Sequence, residues 1–251
     1  MIELKTPAEI ERMRQAGRVV AELLEALSAM LKPGLRTKDL DEAARAFIKS
    51  HGAKPAFLGY RGFPACVCVS VNEEVVHGIP GDRQLRAGDL VSLDAGAVVE
   101  GFYADAAVTR WVGSVPAASQ RLVETTRQAL EEGIAQAVEG KRLADISQAV
   151  QRVIESAGFG IVREFVGHGI GRALHEDPPI PNFVPVGVNP RLRAGMVLAI
   201  EPMVTMGRHE VEVLSDGWTA VTKDRSLAAH WEHTVAVTSR APDILTQLPD
   251  A

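Results

Sequence analysis

Cysteine is scarce in this sequence, which has only Cys66 and Cys68 among its 251 residues. The two stand in the alternating segment ACVCVSV, which is typical of a strand, and side chains two positions apart on one face are poorly placed for a disulfide. A Cys-x-Cys pair without further cysteines is also weak evidence for a zinc site. We therefore expect two small buried side chains and a reducing, cytoplasmic location.

An excess of positive charge and long apolar runs are also lacking. Lysine and arginine number 27 against 32 aspartates and glutamates, so the net charge is −5 and gives no electrostatic signature of nucleic-acid binding. No apolar run approaches the roughly 18 residues of a membrane span, and the charged, amphipathic N-terminus is unlike a signal peptide. The composition is that of a globular protein, because 46% of the residues are hydrophobic and 24% are charged.

One phrase occurs twice in the chain. LRAGDLVSLDAG begins at Leu85 and LRAGMVLAIEPM at Leu192, and the acids Asp94 and Glu201 stand at the same place in each copy, 107 residues apart. Two amphipathic helical stripes also repeat, at an offset of 106: Leu40, Ala43, Ala44, Phe47 and Ile48, then Ile146, Ala149, Val150, Val153 and Ile154. We infer two similar α/β halves, roughly 6–112 and 116–238, within a single domain spanning 1–251.

Local signals place the helices and strands. The capping box TPAE at positions 6–9 starts a helix that we expect to run to about Lys32. Thr37 is the expected cap of a second helix, and two more helices are expected around 118–138 and 143–157. The expected strands cover 66–71, 89–95, 102–110, 161–168, 196–205, 210–215 and 232–238. The pattern predicts an α+β fold with antiparallel sheet, in which the halves share one sheet system with a site where they meet.

Two acids of the first half follow apolar strand segments that form a predicted hairpin. If the turn is centred on Val99-Glu100, Asp94 lies directly opposite Asp105; if it is centred on Glu100-Gly101, the two are diagonal neighbours on one face. Like charges at either spacing are destabilising, so two carboxylates here need a reason. They share a proton, pair with an arginine or bind cations.

Three further candidates, His168, Glu201 and Glu232, lie in strand-like apolar contexts where an unpaired buried charge would be expensive. With Asp94 and Asp105 they make four carboxylates and one imidazole. This set is too rich in oxygen for a structural zinc site and suits one or two divalent ions. The alternative is that each acid belongs to an ordinary salt bridge, and the repeat weakens that alternative for Asp94 and Glu201 only.

Five phrases, four of which contain these residues, resemble the methionine aminopeptidases of the short, bacterial type I class: NEEVVHGIP, DAGAVVEGFYAD, GHGIG, IEPM and DGWTAVTKDRSLAAHWEHT. The similarity extends from Thr6 to about Val237. It implies a pita-bread fold, in which two pseudo-symmetric α/β halves with antiparallel sheet surround a central dinuclear metal site. It also implies a single catalytic domain that removes the initiator methionine from nascent polypeptides and prefers a small second residue.

The resemblance implies roles for the candidate metal ligands. Asp105 and Glu232 bridge two ions of cobalt, manganese, iron or zinc, Asp94 chelates one ion, and His168 with Glu201 holds the other. Glu201 is also the implied proton shuttle. A water or hydroxide between the ions is the implied nucleophile, because two cations stabilise its deprotonated form.

The resemblance also implies residues that bind the substrate. His77 and His175 are expected to hydrogen-bond the peptide and support the tetrahedral intermediate. The implied methionine pocket consists of Tyr60, Phe63, Cys68 and Trp218, although core packing is an equal alternative for Phe63. Three residues depart from those common in the family and bear on the shape of the pocket: Arg61, Leu174 and His230.

Two rival functions remain open at this point. One is a proline-specific hydrolase of the same fold, an aminopeptidase P or prolidase, although those proteins usually carry a sizeable domain ahead of the catalytic one. The other is a non-catalytic relative that binds nucleic acid or protein, although such relatives lose metal ligands. The partners implied by the resemblance are the N-termini of nascent peptides, with transient ribosome association. We expect a cytoplasmic monomer with no nucleic-acid or membrane partner.

Overall fold

The computed structural model describes residues 2–187 and 189–248. Its helices in that part of the chain are Pro7–Met30 (α1), Thr37–Ser50 (α2), Ala117–Ile134 (α3) and Leu143–Ser156 (α4). The capping box that starts α1 is confirmed, because the Thr6 side chain accepts from the Glu9 backbone and the Glu9 side chain accepts from the Thr6 backbone. None of these helices is long and apolar enough to cross a membrane.

Two helices end earlier than the sequence predicts. α1 ends at Met30 rather than near Lys32, because a proline at position 33 disfavours helical geometry in the residue before it. α3 ends at Ile134 rather than 138. Its last turn tightens there, since Gln136 N–H donates to Gly133 O at 3.0 Å and Ala137 N–H to Ile134 O at 2.8 Å.

The predicted cap of α2 is wrong. Thr37 is the first helical residue, and its hydroxyl instead bonds the backbone of Gly81 at 2.8 and 3.1 Å. The N-cap residue is Arg36, and its backbone N–H donates to the carboxylate of Asp39, the third residue of the helix, at 3.1 Å. α4 starts in the same way, with Asp145 accepting from the Arg142 N–H at 2.7 Å.

Fifteen short strands, all antiparallel, lie in the described ranges. They are Lys54–Pro55 (β1), Val67–Val71 (β2), Glu74–Val76 (β3), Leu90–Val99 (β4), Phe102–Trp111 (β5), Gly160–Ile161 (β6), Gly167–Gly169 (β7), Glu176–Ile180 (β8), Val197–Ile200 (β9), Met203–Thr205 (β10), Val211–Val213 (β11), Ala220–Thr222 (β12), Ala228–His230 (β13), His233–Ala236 (β14) and Asp243–Ile244 (β15). The predicted single sheet system is wrong, because these strands form four sheets. Their orders are β1-β4-β2 with β5 on β4, β13-β10-β6, β11-β12-β3 and β15-β14-β9-β7-β8.

Two segments predicted as single strands are each divided between two sheets. The segment 161–168 becomes β6 and β7, and the segment 196–205 becomes β9 and β10. The second division falls at Glu201-Pro202, where proline has no N–H to continue a ladder. This division leaves the Glu201 side chain at the point where the chain passes from one sheet to the next.

The repeat seen in the sequence appears again in backbone hydrogen bonds. Gly34 N–H donates to Leu85 O at 2.8 Å, and Gly140 N–H donates to Leu192 O at 3.0 Å. α1 packs on β4 and β5, α3 packs on α4, and one apolar cluster contains buried residues of both halves. The halves therefore share a core, to which each fully buried leucine contributes about 1.5–3 kcal/mol.

Candidate metal centre

The β4–β5 hairpin carries the two acids of the first half. Its turn is Glu100-Gly101, with φ of 48° and 81°, and the strands pair Val99 with Phe102. The diagonal alternative is therefore correct: Asp94 is paired with Ala107, and Asp105 is paired with Gly96. Both acids are buried, with 9% and 4% of their surface exposed.

The second half is joined to this hairpin by backbone hydrogen bonds. Glu232 N–H donates to Ala107 O at 2.9 Å, and Ala107 N–H donates to Glu232 O at 3.3 Å. The Thr234 hydroxyl accepts from Asp105 N–H at 3.0 Å and donates to Asp105 O at 2.7 Å. These contacts bring Glu232 beside Asp105, and ligand atoms of the two lie within 4.8 Å of each other and of one His168 nitrogen.

His168 and Glu201 come from neighbouring strands. His168 of β7 is paired with Ala199 of β9, two residues before Glu201, and Nε2 of His168 lies 3.5 Å from Oε1 of Glu201. Nδ1 lies 2.9 Å from Gly169 O, so Nδ1 carries the proton and the Nε2 lone pair faces the acids. Burial lowers the pKa of His168 to about 4, which keeps the ring neutral, as a metal ligand must be.

The four carboxylates cannot all be ionised at neutral pH without cations. Burial raises the pKa of Asp94 to about 7. Burial, followed by the negative charges of neighbouring acids, raises the pKa values of Asp105, Glu201 and Glu232 well above their usual range. Across the described ranges, no lysine or arginine lies within salt-bridge distance of any of the four, which removes the arginine alternative.

Unpartnered oxygen atoms test whether this cluster fits a metal. Oδ1 of Asp94, Oδ1 of Asp105 and Oε1 of Glu232 are buried and have no hydrogen-bond partner in the described part of the chain. Unsatisfied buried acceptors are costly, and divalent cations satisfy them. The donor set of carboxylate oxygens and one neutral imidazole therefore fits a divalent metal centre.

A cleft of about 790 Å³, including its open mouth, leads to these acids. Every residue predicted for the site lines it: Tyr60, Phe63, Cys68, His77, Asp94, Asp105, His168, His175, Glu201, Trp218 and Glu232. Cys68 of β2 is paired with Asp94 of β4, so the apolar end of the cleft lies against the acids. Burial raises the pKa of the Cys68 thiol well above its usual value, which makes it an apolar wall rather than a thiolate ligand.

Aromatic rings form the apolar end of the cleft. Phe63 meets Trp218 edge to face, with ring centroids 5.1 Å apart, and meets Phe57 in the same way at 6.5 Å. Phe63 is 3% exposed and belongs to a buried apolar cluster. Its side chain is therefore part of the core and of the cleft wall at once.

The two histidines predicted to bind substrate both line the cleft and contact different rings. The His77 ring meets Phe165 at 5.3 Å and Trp218 at 6.2 Å. His175 stacks on Tyr60 at 5.3 Å and lies 4.0 Å from the His168 ring. Burial lowers the pKa of His77, and burial, followed by the neighbouring His168 and Arg61, lowers the pKa of His175 to about 3, so both rings are neutral at pH 7.

The structure adds cleft residues that the sequence did not indicate. Phe57, Phe165 and Met203 line the cleft, but an apolar residue in a strand or loop gives no signal that separates a cleft wall from a core. His230, noted in the sequence only as a departure, lies with Nε2 3.9 Å from Oε2 of Glu201 and 3.9 Å from Oε2 of Glu232. It forms part of the wall beside the acids.

A buried, oxygen-rich cluster that fits divalent metal, at the end of an apolar cleft, is typical of metal-dependent hydrolases. The family model of metallopeptidase family M24 matches residues 11–239. A methionine aminopeptidase of Clostridium perfringens is 50% identical over 246 residues, which cover 98% of this chain and 99% of that protein. This chain belongs to metallopeptidase family M24, and its function depends on divalent metal.

Solved structures agree on the fold. The crystal structure of a methionine aminopeptidase from Thermotoga maritima superposes with a TM-score of 0.97 at 48% identity, and the match covers 99% of this chain and 100% of that one. A prolidase from Pyrococcus furiosus shares the fold, with a TM-score of 0.79 at 23% identity over 98% of this chain and 66% of that one. The predicted α+β pita-bread fold is therefore confirmed.

Proposed function

We propose that this chain is a type I methionine aminopeptidase, which hydrolyses the initiator methionine from the N-terminus of nascent polypeptides and prefers a small second residue. The observation that carries the proposal is the pairing of Cys68 with Asp94, which sets an apolar cleft directly against the acid cluster. A methionine aminopeptidase that is 50% identical over 98% of this chain supports it. The proline-specific alternative is supported only by a shared fold.

The metal centre would be held by the five residues already described. We assign two ions of cobalt, manganese, iron or zinc, with Asp105 and Glu232 as shared ligands, Asp94 on one ion and His168 with Glu201 on the other. The three unpartnered oxygens of Asp94, Asp105 and Glu232 support this assignment. When bound, such ions acidify water and polarise a peptide carbonyl.

The remaining chemistry belongs to the protein's own groups. Glu201, whose pKa burial raises, takes a proton from the attacking water on its carboxylate and delivers it to the leaving amino nitrogen. His77 and His175 are neutral and therefore donate N–H bonds to the peptide without adding a positive charge to the cleft. A donor aimed at the developing oxyanion stabilises the tetrahedral intermediate.

Selectivity for methionine is assigned to Tyr60, Phe63, Cys68 and Trp218. Aromatic edges and faces around a narrow cleft favour a thioether, because sulfur–aromatic contacts add about 0.3–1.5 kcal/mol to apolar burial. A closed end rejects longer or branched side chains sterically. The ring contacts of Phe63 with Phe57 and Trp218 support such a closed end.

We further propose that 1–251 acts as a single catalytic domain built from the repeats 6–112 and 116–238. Its expected partners are the N-termini of nascent peptides, with transient association with the ribosome. The expected state is a cytoplasmic monomer, with no nucleic-acid partner and no membrane partner. The net charge of −5 supports the absence of a nucleic-acid partner.

The test is a peptide-cleavage panel on chelated protein to which each metal is returned separately. Methionine release from Met-Ala-Ser, none from Met-Lys-Ser and none without metal is the expected result. Equal cleavage of both peptides would refute the proposed specificity. A preference for Xaa-Pro peptides would instead establish the proline-specific alternative.

A further inference from the structure

Lys5 carries a positive charge into the interior. Its side chain is 3% exposed, and its Nζ donates to Oε2 of Glu176 at 2.6 Å. The other carboxylate near it belongs to Glu3, at 3.4 Å, whose side chain is 62% exposed. A buried ammonium is retained only where it is paired, so Glu176 is the principal partner of this charge.

The second oxygen of Glu176 holds a loop. Oε1 accepts the backbone N–H of Arg172 at 2.7 Å and that of Ala173 at 3.1 Å. One carboxylate thus connects the N-terminal segment to the loop 171–175. The last residue of that loop is His175, which precedes Glu176 in the chain.

Gly171 shows how closely Lys5 approaches the loop. A Cβ atom at Gly171 would collide with the Cε atom of Lys5 and lie 2.9 Å from Oε1 of Glu176. The carbonyl of Gly171 accepts from Tyr103 N–H at 2.8 Å, and Lys5 N–H donates to Gly195 O at 2.7 Å. The loop is therefore fixed on one side by Lys5 and on the other by β5.

The His175 ring has no such fixation of its own. Among the described residues, no hydrogen bond reaches its imidazole, whose neighbours are the rings of Tyr60 and His168. The position of the ring therefore depends on the backbone that carries it. That backbone is held by Glu176, whose main chain is paired with Gly169 of β7 and whose carboxylate is bound by Lys5.

We propose that Lys5 and Glu176 form a clamp that positions His175 for the peptide, so that Lys5 is a positioning residue for the reaction although it lies outside the cleft lining. The inference rests on the proposed function of His175. Loss of the ammonium leaves the carboxylate without its counter-charge and removes one attachment of the loop, while the bond from Tyr103 N–H to Gly171 O and the ion pair of Arg172 with Glu9 remain. The expected result is a small displacement of the His175 backbone rather than loss of the loop. Displacement of a substrate-binding group by about 1 Å can lower a rate by about 10²-fold.

The central variant is Lys5→Met, which keeps the aliphatic stem and removes the charge. We expect kcat for Met-Ala-Ser to fall about tenfold or more, with KM changed less and metal content unchanged. Arg14→Met is the matched control, because Arg14 also joins the N-terminal part of the chain to a distant acid, Asp243, and has no hydrogen bond or ion pair with the loop in the described ranges. It should lose thermal stability and keep kcat.

A double-mutant cycle with His175→Ala separates positioning from general destabilisation. If Lys5 acts through His175, Lys5→Met lowers kcat in the natural background and has no further effect in the His175→Ala background. An undiminished effect in both backgrounds, or an unchanged kcat in Lys5→Met, overturns the proposal. If Lys5→Met does not fold, Glu176→Gln takes its place in the same cycle.

A readout independent of turnover distinguishes this inference from the proposed function. The His175 ring proton resonances, assigned by their loss in His175→Ala, should shift or broaden in metal-loaded Lys5→Met and stay unchanged in Arg14→Met. An unmoved His175 resonance overturns the clamp even if the enzyme is active. Failure of the natural protein to release methionine would refute the proposed function without altering this result.

Discussion

Asp94 and Asp105 share one face of the β4–β5 hairpin but are two positions out of register, because Asp94 is paired with Ala107 and Asp105 with Gly96. The offset leaves the backbone of Ala107, directly opposite Asp94, free to bond Glu232 of the other half. The turn of this hairpin therefore decides how Asp94 and Asp105 are placed relative to Glu232. Several expected outcomes depend on that arrangement.

Replacing Asp105 by asparagine should remove both metal and activity. An amide oxygen cannot supply the negative charge that a carboxylate shares between two cations. The measurement is metal content by mass spectrometry, together with turnover of Met-Ala-Ser. Asp82→Asn, at a side chain that is 83% exposed, is the control and should keep both. Normal metal content and turnover in Asp105→Asn would rule out the bridging role.

The stability of metal-free protein should reveal the burial of Asp94. Its pKa rises from 3.8 unfolded to about 7 folded, so the folded state binds the extra proton between these values. The stabilisation that comes from this bound proton is complete below pH 3.8 and is lost as the pH rises through 7. Asp94→Asn removes this loss, so the amount by which its unfolding free energy exceeds that of the natural protein should grow between pH 4 and pH 8.

Chemical unfolding of both proteins in chelator, at several pH values, measures this difference. The buried histidines, whose pKa values are lowered, make the unfolding free energy fall below about pH 6.5. Both proteins contain these histidines, so their contribution cancels in the comparison. A difference in unfolding free energy between the two proteins that does not change with pH would contradict the raised pKa of Asp94. With saturating metal the Asp94 carboxylate is ionised over the whole pH range. The natural protein should then have the higher unfolding free energy of the two.

His77→Ala should lower turnover and leave the metal in place. Loss of one donor to a developing oxyanion costs about 10²–10³ in kcat. His77 has a φ of 61°, which asparagine tolerates better than alanine, so His77→Asn controls for backbone strain. Both variants are compared by kcat and by metal content. Lost metal in either would mean that His77 belongs to the metal centre rather than to the substrate site.

Trp218→Ala should weaken the preference for sulfur. The natural protein is expected to prefer Met-Ala-Ser over the norleucine analogue, by up to about tenfold in kcat/KM, through sulfur–aromatic contact. That ratio should shrink in the variant because a ring of the cleft wall is gone. Trp111→Ala, at a ring on the surface outside the cleft, should keep the ratio. An unchanged ratio in Trp218→Ala would remove Trp218 from the methionine pocket.

Glu100→Asn should stabilise the hairpin that sets the register of the two aspartates. Glu100 and Gly101 both have positive φ, the geometry of a type I′ turn, for which Asn-Gly is the preferred pair. The ion pair of Glu100 with Arg12 is exposed and contributes little. We expect the unfolding free energy to rise by about 0.5–1 kcal/mol, measured in urea. Gly101→Val should lower it, and a gain there would argue against this turn.

Much of the site was predictable because its residues are chemically conspicuous. Asp94, Asp105, Glu201 and Glu232 are acids in apolar strand contexts, and His168 and the repeated phrase make them stand out further. All five line one cleft. Phe57, Phe165 and Met203 were missed because an apolar side chain has the same sequence signature in a core and in a cleft wall.

The sequence by itself determined the helical stripes, the repeat and the hairpin with its two candidate turns, because periodicity, caps and Gly-containing turns act over a few residues. Only the tertiary structure decided which turn forms and how the strands divide among four sheets. It alone brought Glu232 to Ala107 and Lys5 to Glu176, pairs that lie 125 and 171 positions apart. Such contacts depend on the packing of distant segments, whose free energy no local pattern encodes.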